Sequence, residues 1–128
     1  MPSFTEWTEV HKALADPTRL HILALLAVGE LCVCELVEVI GASQPTVSRH
    51  LGKLKQARLV QEQRVAQWVF YSLDDTKVSF LREIIKVLPS VAEEFTAVKG
   101  NAQIACHIRQ SAVKVPSPLV GALRDTSQ

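Results

Sequence analysis

The sequence contains no hydrophobic run long enough to cross a membrane. Its longest unbroken apolar stretch covers residues 22–28, whereas a transmembrane helix needs roughly 18 or more apolar residues in succession. Residues 1–12 have neither the basic region nor the apolar core of a secretory signal. We therefore expect a cytoplasmic protein with no membrane partner.

Cysteine is also scarce, with three residues in the whole chain, of which the first two form a C-x-C pair: Cys32, Cys34 and Cys106. In a cytoplasmic protein such thiols are free, bind a metal or take part in redox chemistry, because structural disulfides belong to oxidising compartments. The chain lacks both the C-x-x-C motif and the βαβ pattern typical of thiol–disulfide enzymes. We expect no enzymatic activity.

A strong net charge is the third feature that is missing. The 128 residues carry a formal charge of only +1, and 48% hydrophobic with 21% charged residues is typical of one globular domain. The charge is unevenly distributed, however, since residues 44–64 hold five basic residues and one acidic residue. A basic patch on a nearly neutral chain indicates a surface directed at one partner, and that pattern favours nucleic acid.

The basic patch centres on residues 43–58, which we predict to be a helix. Ser43 is a favourable N-cap, and Pro45 falls in the first turn, where its missing N–H is not needed. Three apolar residues at spacings of four and three predict one core-facing stripe: Val47, Leu51 and Leu54. None of the residues in this segment is acidic. That composition suits a phosphate-lined groove, with a solvated helix of basic bias as the alternative.

We predict that this helix and the segment after it contact double-stranded DNA. Short polar side chains at the helix N-terminus would meet base edges, and basic side chains would meet phosphates. The predicted contacts from the helix are Ser43, Gln44, Thr46, Ser48, Arg49, His50 and Lys53. The predicted contacts from the following segment are Arg64 and Gln67.

The segments before the basic helix complete a helix-turn-helix. Apolar periodicity predicts helices over residues 4–15 and 17–28, with Asp16 as the N-cap of the second. A third helix over residues 32–40 ends at Gly41, and a three-residue turn leads from there into the basic helix. The basic helix is thus the second of the pair, as DNA recognition requires.

The segment after the basic helix predicts the wing of a winged helix. Residues 59–73 change to a two-residue period with a turn near residues 65–67, which is typical of a β-hairpin. The turn lacks Asn-Gly and Asp-Gly, so a longer loop also stays open. The predicted fold is mainly α with a β-hairpin wing, that is, a winged helix-turn-helix.

Two apolar stripes predict that this fold is homodimeric. Residues 77–98 are helical, with a kink or a break between two helices at Pro89. Their heptad stripe is Val78, Leu81, Ile85, Leu88, Ala92 and Phe95. The first helix adds a second stripe: Phe4, Trp7, His11 and Leu14. So much apolar surface on a small protein indicates a dimer interface.

The chain divides by composition near residue 100. Residues 1–100 are predicted to form the DNA-binding and dimerisation domain. Residues 101–128 are predicted to form a C-terminal extension, with a short helix over residues 102–113 and then a loose tail rich in proline.

Cys32 and Cys34 lie at the start of the third predicted helix. Residues two apart on a helix point roughly 200° apart, so both thiols cannot face the core. For the same reason, we expect that both could bind one ion only if the first turn unwound. A helix N-terminus also lowers the pKa of a thiol and favours the thiolate that binds metals. One packed and one idle surface cysteine is the alternative.

Four stretches carry a resemblance to a known family: ALADPTRLHIL, ELCVCEL, SQPTVSRHLGKLKQARLV and WVFYSL. Between residues 10 and 73 the chain resembles the ArsR/SmtB family of winged-helix metalloregulators. The ELCVC motif before SQPTVSRHL is most similar to the arsenite- and antimonite-responsive repressors. The resemblance implies a dimer that binds a pseudopalindromic operator and releases it when thiolates of the third helix capture As(III) or Sb(III).

The resemblance also implies the metal ligands. Cys32 and Cys34 match the first two thiols of the family pattern, but the third is replaced by Val37. The N-terminal cysteines of a cadmium/lead branch are missing too. The implied ligands are therefore Cys32, Cys34 and Cys106, or two protein thiols with an external thiol or hydroxide. A cadmium-, zinc- or oxidation-responsive repressor is the alternative, and a DNA-binding protein with silent thiols is a further one.

Overall fold

The computed structural model describes residues 2–100, which form six helices and a three-stranded antiparallel sheet. The helices are α1 (Phe4–Leu14), α2 (Pro17–Val28), α3 (Val33–Ile40), α4 (Gln44–Gln56), α5 (Val78–Ile85) and α6 (Ala92–Lys99). The strands are β1 (Leu31–Cys32), β2 (Val60–Val65) and β3 (Trp68–Leu73). The prediction of a mainly α fold with a β-hairpin is confirmed. The helix and tail predicted after residue 100 lie outside the described residues.

Local signals determine where α2 and α4 begin. The Asp16 carboxylate accepts a hydrogen bond from the N–H of Arg19 at 3.0 Å, and the Ser43 hydroxyl accepts one from the N–H of Thr46 at 3.3 Å. Gly41 follows α3 with φ of 73°, a left-handed conformation that favours glycine. The predicted helix-turn-helix, α3 and α4, is therefore confirmed.

The hairpin formed by β2 and β3 is the wing. The two strands pair along their whole length, and Ala66 and Gln67 alone connect them. Ala66 has a φ of 54°, as a tight hairpin connection requires even when no glycine is present. The hairpin prediction is confirmed, and the short connection excludes the longer loop that the sequence left open.

Strand β1 was not predicted, and it changes the start of the third helix. Leu31 pairs with Tyr71, and Cys32 pairs with Phe70 on β3. Cys32 has an extended backbone (φ −85°, ψ 165°) and serves as the N-cap, so α3 begins at Val33. The prediction of a helix from residue 32 was wrong by one residue. Cys32 is extended because it pairs with Phe70 on the edge of β3 that β2 leaves free. Phe70 is distant from Cys32 in the sequence, so local patterns do not predict this pairing.

Helix α2 lies at the centre of the core. It packs against the other five helices and against β3, and Ile22, Leu23 and Leu25 are fully buried. A helix that is apolar on all sides is a buried helix, which explains the hydrophobic run at residues 22–28. Helix α4 instead buries one face, formed as predicted by Val47, Leu51 and Leu54.

The apolar stripe predicted over residues 77–98 does not form one continuous surface. Helix α5 ends at Ile85 and α6 begins at Ala92, which confirms the break predicted near Pro89. Leu81 and Phe95 are buried in the core of the protomer, whereas Ala92 is exposed. The prediction that all six residues share one interface was therefore wrong, because the break lets α6 turn its own apolar side inward.

Candidate nucleic-acid interface and thiol site

The outer face of α4 is exposed and carries only polar and basic side chains besides Pro45 and Gly52. Four of the predicted DNA contacts lie on it: Gln44, Ser48, Arg49 and Lys53. Because the inner face of the helix is buried in the core, these side chains are held on a rigid surface that points outward. The face has the shape and charge needed to enter a DNA groove.

Ser43 and Thr46 stabilise the N-terminus of α4. The Ser43 hydroxyl donates a hydrogen bond to the Thr46 hydroxyl at 2.9 Å while it caps the N–H of the same residue. Thr46 is half-buried and Ser43 is exposed. Both residues therefore have a structural role in addition to the DNA contacts predicted for them.

His50 lies on the side of α4 that faces the junction of α1 and α2. Its Nδ1 atom is 3.2 Å from Nη1 of Arg19 and 3.9 Å from Oδ1 of Asp16. Arg19 also donates from Nε to the carbonyl of Ala13 at 2.7 Å. The structure thus gives His50 a docking role, and Arg19 is a positioning residue that we did not predict from the sequence.

The predicted wing contacts, Arg64 and Gln67, are both exposed. Arg64 lies on β2, and Gln67 lies in the connection between β2 and β3. They extend the polar surface of α4 away from the helix, as a wing that follows the DNA backbone would. Their contact with DNA stays a prediction.

A group of three side chains fastens the wing to the last turn of α4. Glu62 on β2 accepts hydrogen bonds from Lys55 of α4 and from the hydroxyl of Tyr71 at 2.9 Å. These two bonds, that from Lys55 first, lower the pKa of the Glu62 carboxyl. Burial and the bond to Glu62 raise the pKa of Tyr71 to about 12. The bond from Lys55 therefore links the last turn of α4 to the wing, and the bond from Tyr71 holds Glu62 in place within the hairpin.

The two thiols of the C-x-C motif lie side by side. The Sγ atom of Cys32 is 3.5 Å from that of Cys34. Two thiolates on one tetrahedral zinc, with Zn–S bonds of about 2.3 Å, would be roughly 3.8 Å apart. The expectation that the first helical turn must unwind was wrong. Because Cys32 is the extended N-cap and not part of the helix, the 200° separation does not apply.

The thiols differ in acidity. Cys32 is buried and Cys34 is half-buried. The hydrogen bond from the Cys32 thiol lowers the pKa of Cys34 to about 7. The same bond, together with burial and the nearby Glu35 carboxylate, raises the pKa of Cys32. At neutral pH the pair therefore loses its first proton from Cys34, and the resulting thiolate is the more reactive and accessible of the two.

A buried ion pair lies next to the thiol site. Glu35 accepts a hydrogen bond from the backbone N–H of Cys32 at 3.0 Å, and the same oxygen is 3.1 Å from Nζ of Lys99 on α6. Burial raises the pKa of the neighbouring Glu30 carboxyl, which also lies in the field of Lys99 and Glu35. The first turn of α3 is thus fixed by contacts from outside the helix.

The structure brings together two of the three predicted metal ligands. Cys106 lies outside the described residues. Within residues 2–100, no group of three or more His, Cys, Asp or Glu side chains is placed to hold a metal ion. A thiophilic ion bound at Cys32 and Cys34 therefore needs a further ligand from elsewhere in the chain or from solution.

Three helices before a recognition helix, a paired wing and an exposed basic face define a winged helix-turn-helix transcriptional regulator. The family model for the bacterial regulatory protein, arsR family, matches residues 16–62. The chain is 41% identical over 80 residues to the arsenic resistance transcriptional regulator ArsR2 of Pseudomonas putida, covering 62% of this chain and 70% of that one. The protein belongs to the ArsR family.

Two further comparisons agree with this assignment. The chain is 44% identical over 80 residues to the transcriptional repressor SmtB homolog of Synechocystis, covering 62% of this chain and 61% of that one. Its structure resembles the homodimeric winged helix-turn-helix DNA-binding domain from Mycobacterium bovis, with a TM-score of 0.60 and 34% identity over 70% of this chain and 81% of that one. The family is one of regulators and not of enzymes, as expected. No helix within residues 2–100 could cross a membrane.

Proposed function

We propose that the protein is a cytoplasmic, homodimeric repressor that binds operator DNA without metal and releases it when As(III) or Sb(III) binds Cys32 and Cys34. The observation that carries this proposal is the 3.5 Å separation of the two sulfurs. A thiol pair this close is a preformed bidentate site for one thiophilic ion. The likeness to an arsenic resistance regulator supports the same inducer.

DNA binding follows from the outer face of α4. Gln44 and Ser48 lie one turn apart at the helix N-terminus, where they can meet base edges in the major groove. Arg49 and Lys53 lie beside them and can meet phosphates. In a dimer, the two recognition helices would read half-sites roughly 34–36 Å apart. Arg64 and Gln67 would follow the flanking backbone.

The dimer is supported by an apolar surface shared by α1 and α5. Phe4 is 93% exposed and Val87 is 84% exposed, so neither contributes to the core of the protomer. Val87 lies two residues after the end of α5, and the rings of Trp7 on α1 and Phe80 on α5 meet edge to face with centroids 4.7 Å apart. Apolar surface of this kind marks a protein interface. We therefore assign the dimer contact to α1 and α5 and not to α6.

The two thiols would bind the inducer in the order of their acidity. Cys34, with a pKa of about 7, supplies the first thiolate, and Cys32 loses its proton when the ion binds. The third position belongs to Cys106 or to an external thiol or hydroxide. Because Cys32 is buried, the ion would enter from the side of Cys34.

The position of Cys32 explains how the thiol site could act on DNA binding. Cys32 is at once the N-cap of α3, the partner of Phe70 on the wing strand and the hydrogen-bond donor to Glu35. A displacement of this residue therefore acts on α3, which packs against α4, and on the sheet that carries the wing. Release requires that the ion bind the DNA-free conformation better than the DNA-bound one.

A second function, oxidation sensing, is favoured by the same geometry. A peroxide could oxidise the pair to a disulfide. The two thiols would lose two protons and two electrons, and the peroxide would become two molecules of water. The low pKa of Cys34 and the neighbouring Cys32 at 3.5 Å are what such a reaction needs. Cadmium or zinc would use the same two thiolates.

One titration separates these functions. A duplex selected from a random pool by the apoprotein would be followed by fluorescence anisotropy while arsenite, antimonite, cadmium, zinc or hydrogen peroxide is added. We expect arsenite and antimonite to weaken binding several-fold to about a hundredfold, the range of a coupling of about 1–3 kcal/mol. Release by peroxide or by cadmium or zinc, but not by arsenite, would support the alternatives.

Variants of the three cysteines complete the experiment. Cys32→Ser and Cys34→Ser should bind the duplex like the wild type and fail to release it with arsenite. Loss of the response in Cys106→Ser supports a third protein thiol, and an unchanged response supports an external ligand. If neither Cys32→Ser nor Cys34→Ser alters release by arsenite, the sensing site is elsewhere.

A further inference from the structure

Gly52 occupies a position in α4 where glycine has no role inside the protomer. It lies within the helix Gln44–Gln56 and is exposed. A Cβ atom added there would meet, beyond the adjoining backbone of its own helix, no atom of residues 2–100 within 4 Å. Glycine in a helix interior costs about 0.5–1 kcal/mol relative to alanine. No packing contact within residues 2–100 requires glycine at this position, so nothing inside the described part of the protomer offsets this cost.

Backbone conformation does not explain the glycine either. Among residues 2–100, the positive-φ positions are Arg58, Ala66 and Gly41, so Gly52 adopts ordinary helical angles. The helix continues through it to its C-cap at Ala57. A side chain at this position is therefore compatible with the fold, and the reason for its absence must lie outside the protomer.

The surroundings of Gly52 indicate what lies outside. It is four residues after Ser48 and three after Arg49, which places all three on the same strip of the helix. Lys53 follows it directly, and Arg49, Lys53 and Ser48 are all exposed. The strip is thus a patch of bare helix backbone bordered by two cationic side chains. Such a patch is complementary to a polyanion that comes into direct contact with the helix.

We propose that Gly52 allows the sugar–phosphate backbone of duplex DNA to approach α4 to contact distance. The inference rests on the proposed DNA binding and adds a steric requirement to it. The N-terminal turn of a recognition helix faces base edges in the major groove, so the third turn, which holds Gly52, passes the wall of that groove. Arg49 and Lys53 then pair with phosphates on either side of the close contact.

The test is a series of side chains of increasing size at this position: Gly52→Ala, Gly52→Ser and Gly52→Met. Because a Cβ meets no obstacle, each variant should fold, and Gly52→Ala should raise the melting temperature by a few degrees. Affinity for the selected duplex should fall as the side chain grows, by about tenfold for alanine, equivalent to roughly 1.4 kcal/mol, and by more for methionine.

Thr96→Ala is the matched control. Thr96 is an exposed residue of α6, and its replacement also raises helix propensity without altering α4. It should bind the duplex like the wild type. Gly52→Met with unchanged affinity would overturn the steric role, and so would a Gly52→Ala variant that is less stable than the wild type. A wild type that binds no duplex would instead overturn the proposed DNA binding itself.

Discussion

The carboxylate of Glu35 and the ammonium group of Lys99 form an ion pair of 3.1 Å, with the two side chains only 4% and 9% exposed. The pair joins the first turn of α3 to the last turn of α6, and the same Glu35 oxygen accepts a hydrogen bond from the backbone N–H of Cys32. Burial removes water from both charges, so each charge is stabilised mainly by the other. The start of α3 is therefore held by a residue 64 positions away.

Removal of one member of this pair should destabilise the protein strongly. We expect Lys99→Met to lower the free energy of unfolding by about 3–5 kcal/mol, because it leaves the Glu35 charge buried and unpaired. The double variant Glu35→Gln, Lys99→Met should recover much of this loss. Urea unfolding monitored by circular dichroism measures both effects.

Lys86→Met is the matched control for that comparison. Lys86 pairs with Glu83 at 2.8 Å, but both side chains are about two-thirds exposed. An exposed ion pair of this kind contributes less than about 1 kcal/mol. If Lys99→Met lowers the free energy of unfolding no more than Lys86→Met does, the buried pair contributes no more to stability than the exposed pair.

Alkylation should reveal the unequal acidity of the two thiols. In a Cys106→Ser background, the rate at which iodoacetamide modifies Cys34 should rise with pH around a midpoint of about 7, because only the thiolate reacts. The pKa is lowered, so Cys34 is ionised above this pH and protonated below it. Cys32→Ala removes the thiol that donates to Cys34 and should move the midpoint upward. A midpoint that is the same in both proteins would contradict the hydrogen bond as its cause.

The bond between Tyr71 and Glu62 should matter for both stability and DNA binding. Tyr71→Phe removes a donor to a carboxylate and should cost about 1–2 kcal/mol. It should also weaken duplex binding, because the bond from Tyr71 positions the Glu62 carboxylate that Lys55 of α4 contacts. Thermal unfolding and anisotropy titration provide the two measurements. An unchanged affinity would mean that the bond from Lys55 alone positions the wing.

The lowered pKa of Glu62 predicts the direction of a pH effect. Since the carboxyl is more acidic in the folded protein, its contribution to stability is complete above its unfolded pKa, roughly 4.3. It is lost as pH falls through the lower folded value. Glu62→Gln should therefore lose less stability than the wild type when thermal unfolding is followed from pH 6 down to pH 3. Parallel curves for the two proteins would rule out this contribution.

The dimer surface can be separated from the core by charge substitution. Phe4→Glu and Val87→Glu alter residues that are almost fully exposed, so the protomer should stay folded while the dimer dissociates. Leu81→Glu alters a residue that is fully buried and should unfold the protein instead. Sedimentation velocity reports the dimer, and circular dichroism reports the fold. Dimers that persist in both surface variants would place the interface elsewhere.

Local sequence signals were sufficient for the elements that present the DNA-binding face. Asp16, Pro17 and Gly29 bracket α2, and Ser43 and Pro45 start α4, because caps and prolines act within one helical turn. The alternation of side chains in residues 59–73 predicted the wing in the same way. The resemblance to the ArsR/SmtB family rested on the same motifs. The exposed, acid-free side of α4 could be read directly from its composition.

The arrangement of the thiol site could not be obtained in that way. Cys32 is extended because it pairs with Phe70, which lies far along the chain, and a two-residue strand has no period to recognise. The spacing of the cysteines by itself therefore suggested sulfurs on opposite sides of a helix. Likewise, a heptad stripe does not distinguish the buried Leu81 from an interface residue.

The sequence by itself determined which segments become helices, which become the wing and which face of α4 stays free of acidic residues, since each depends on residues within one or two turns. Only the tertiary structure decided that the sulfurs of Cys32 and Cys34 lie 3.5 Å apart and that Glu35 meets Lys99. Those relationships follow from how buried polar groups in distant segments find partners when the core closes around α2.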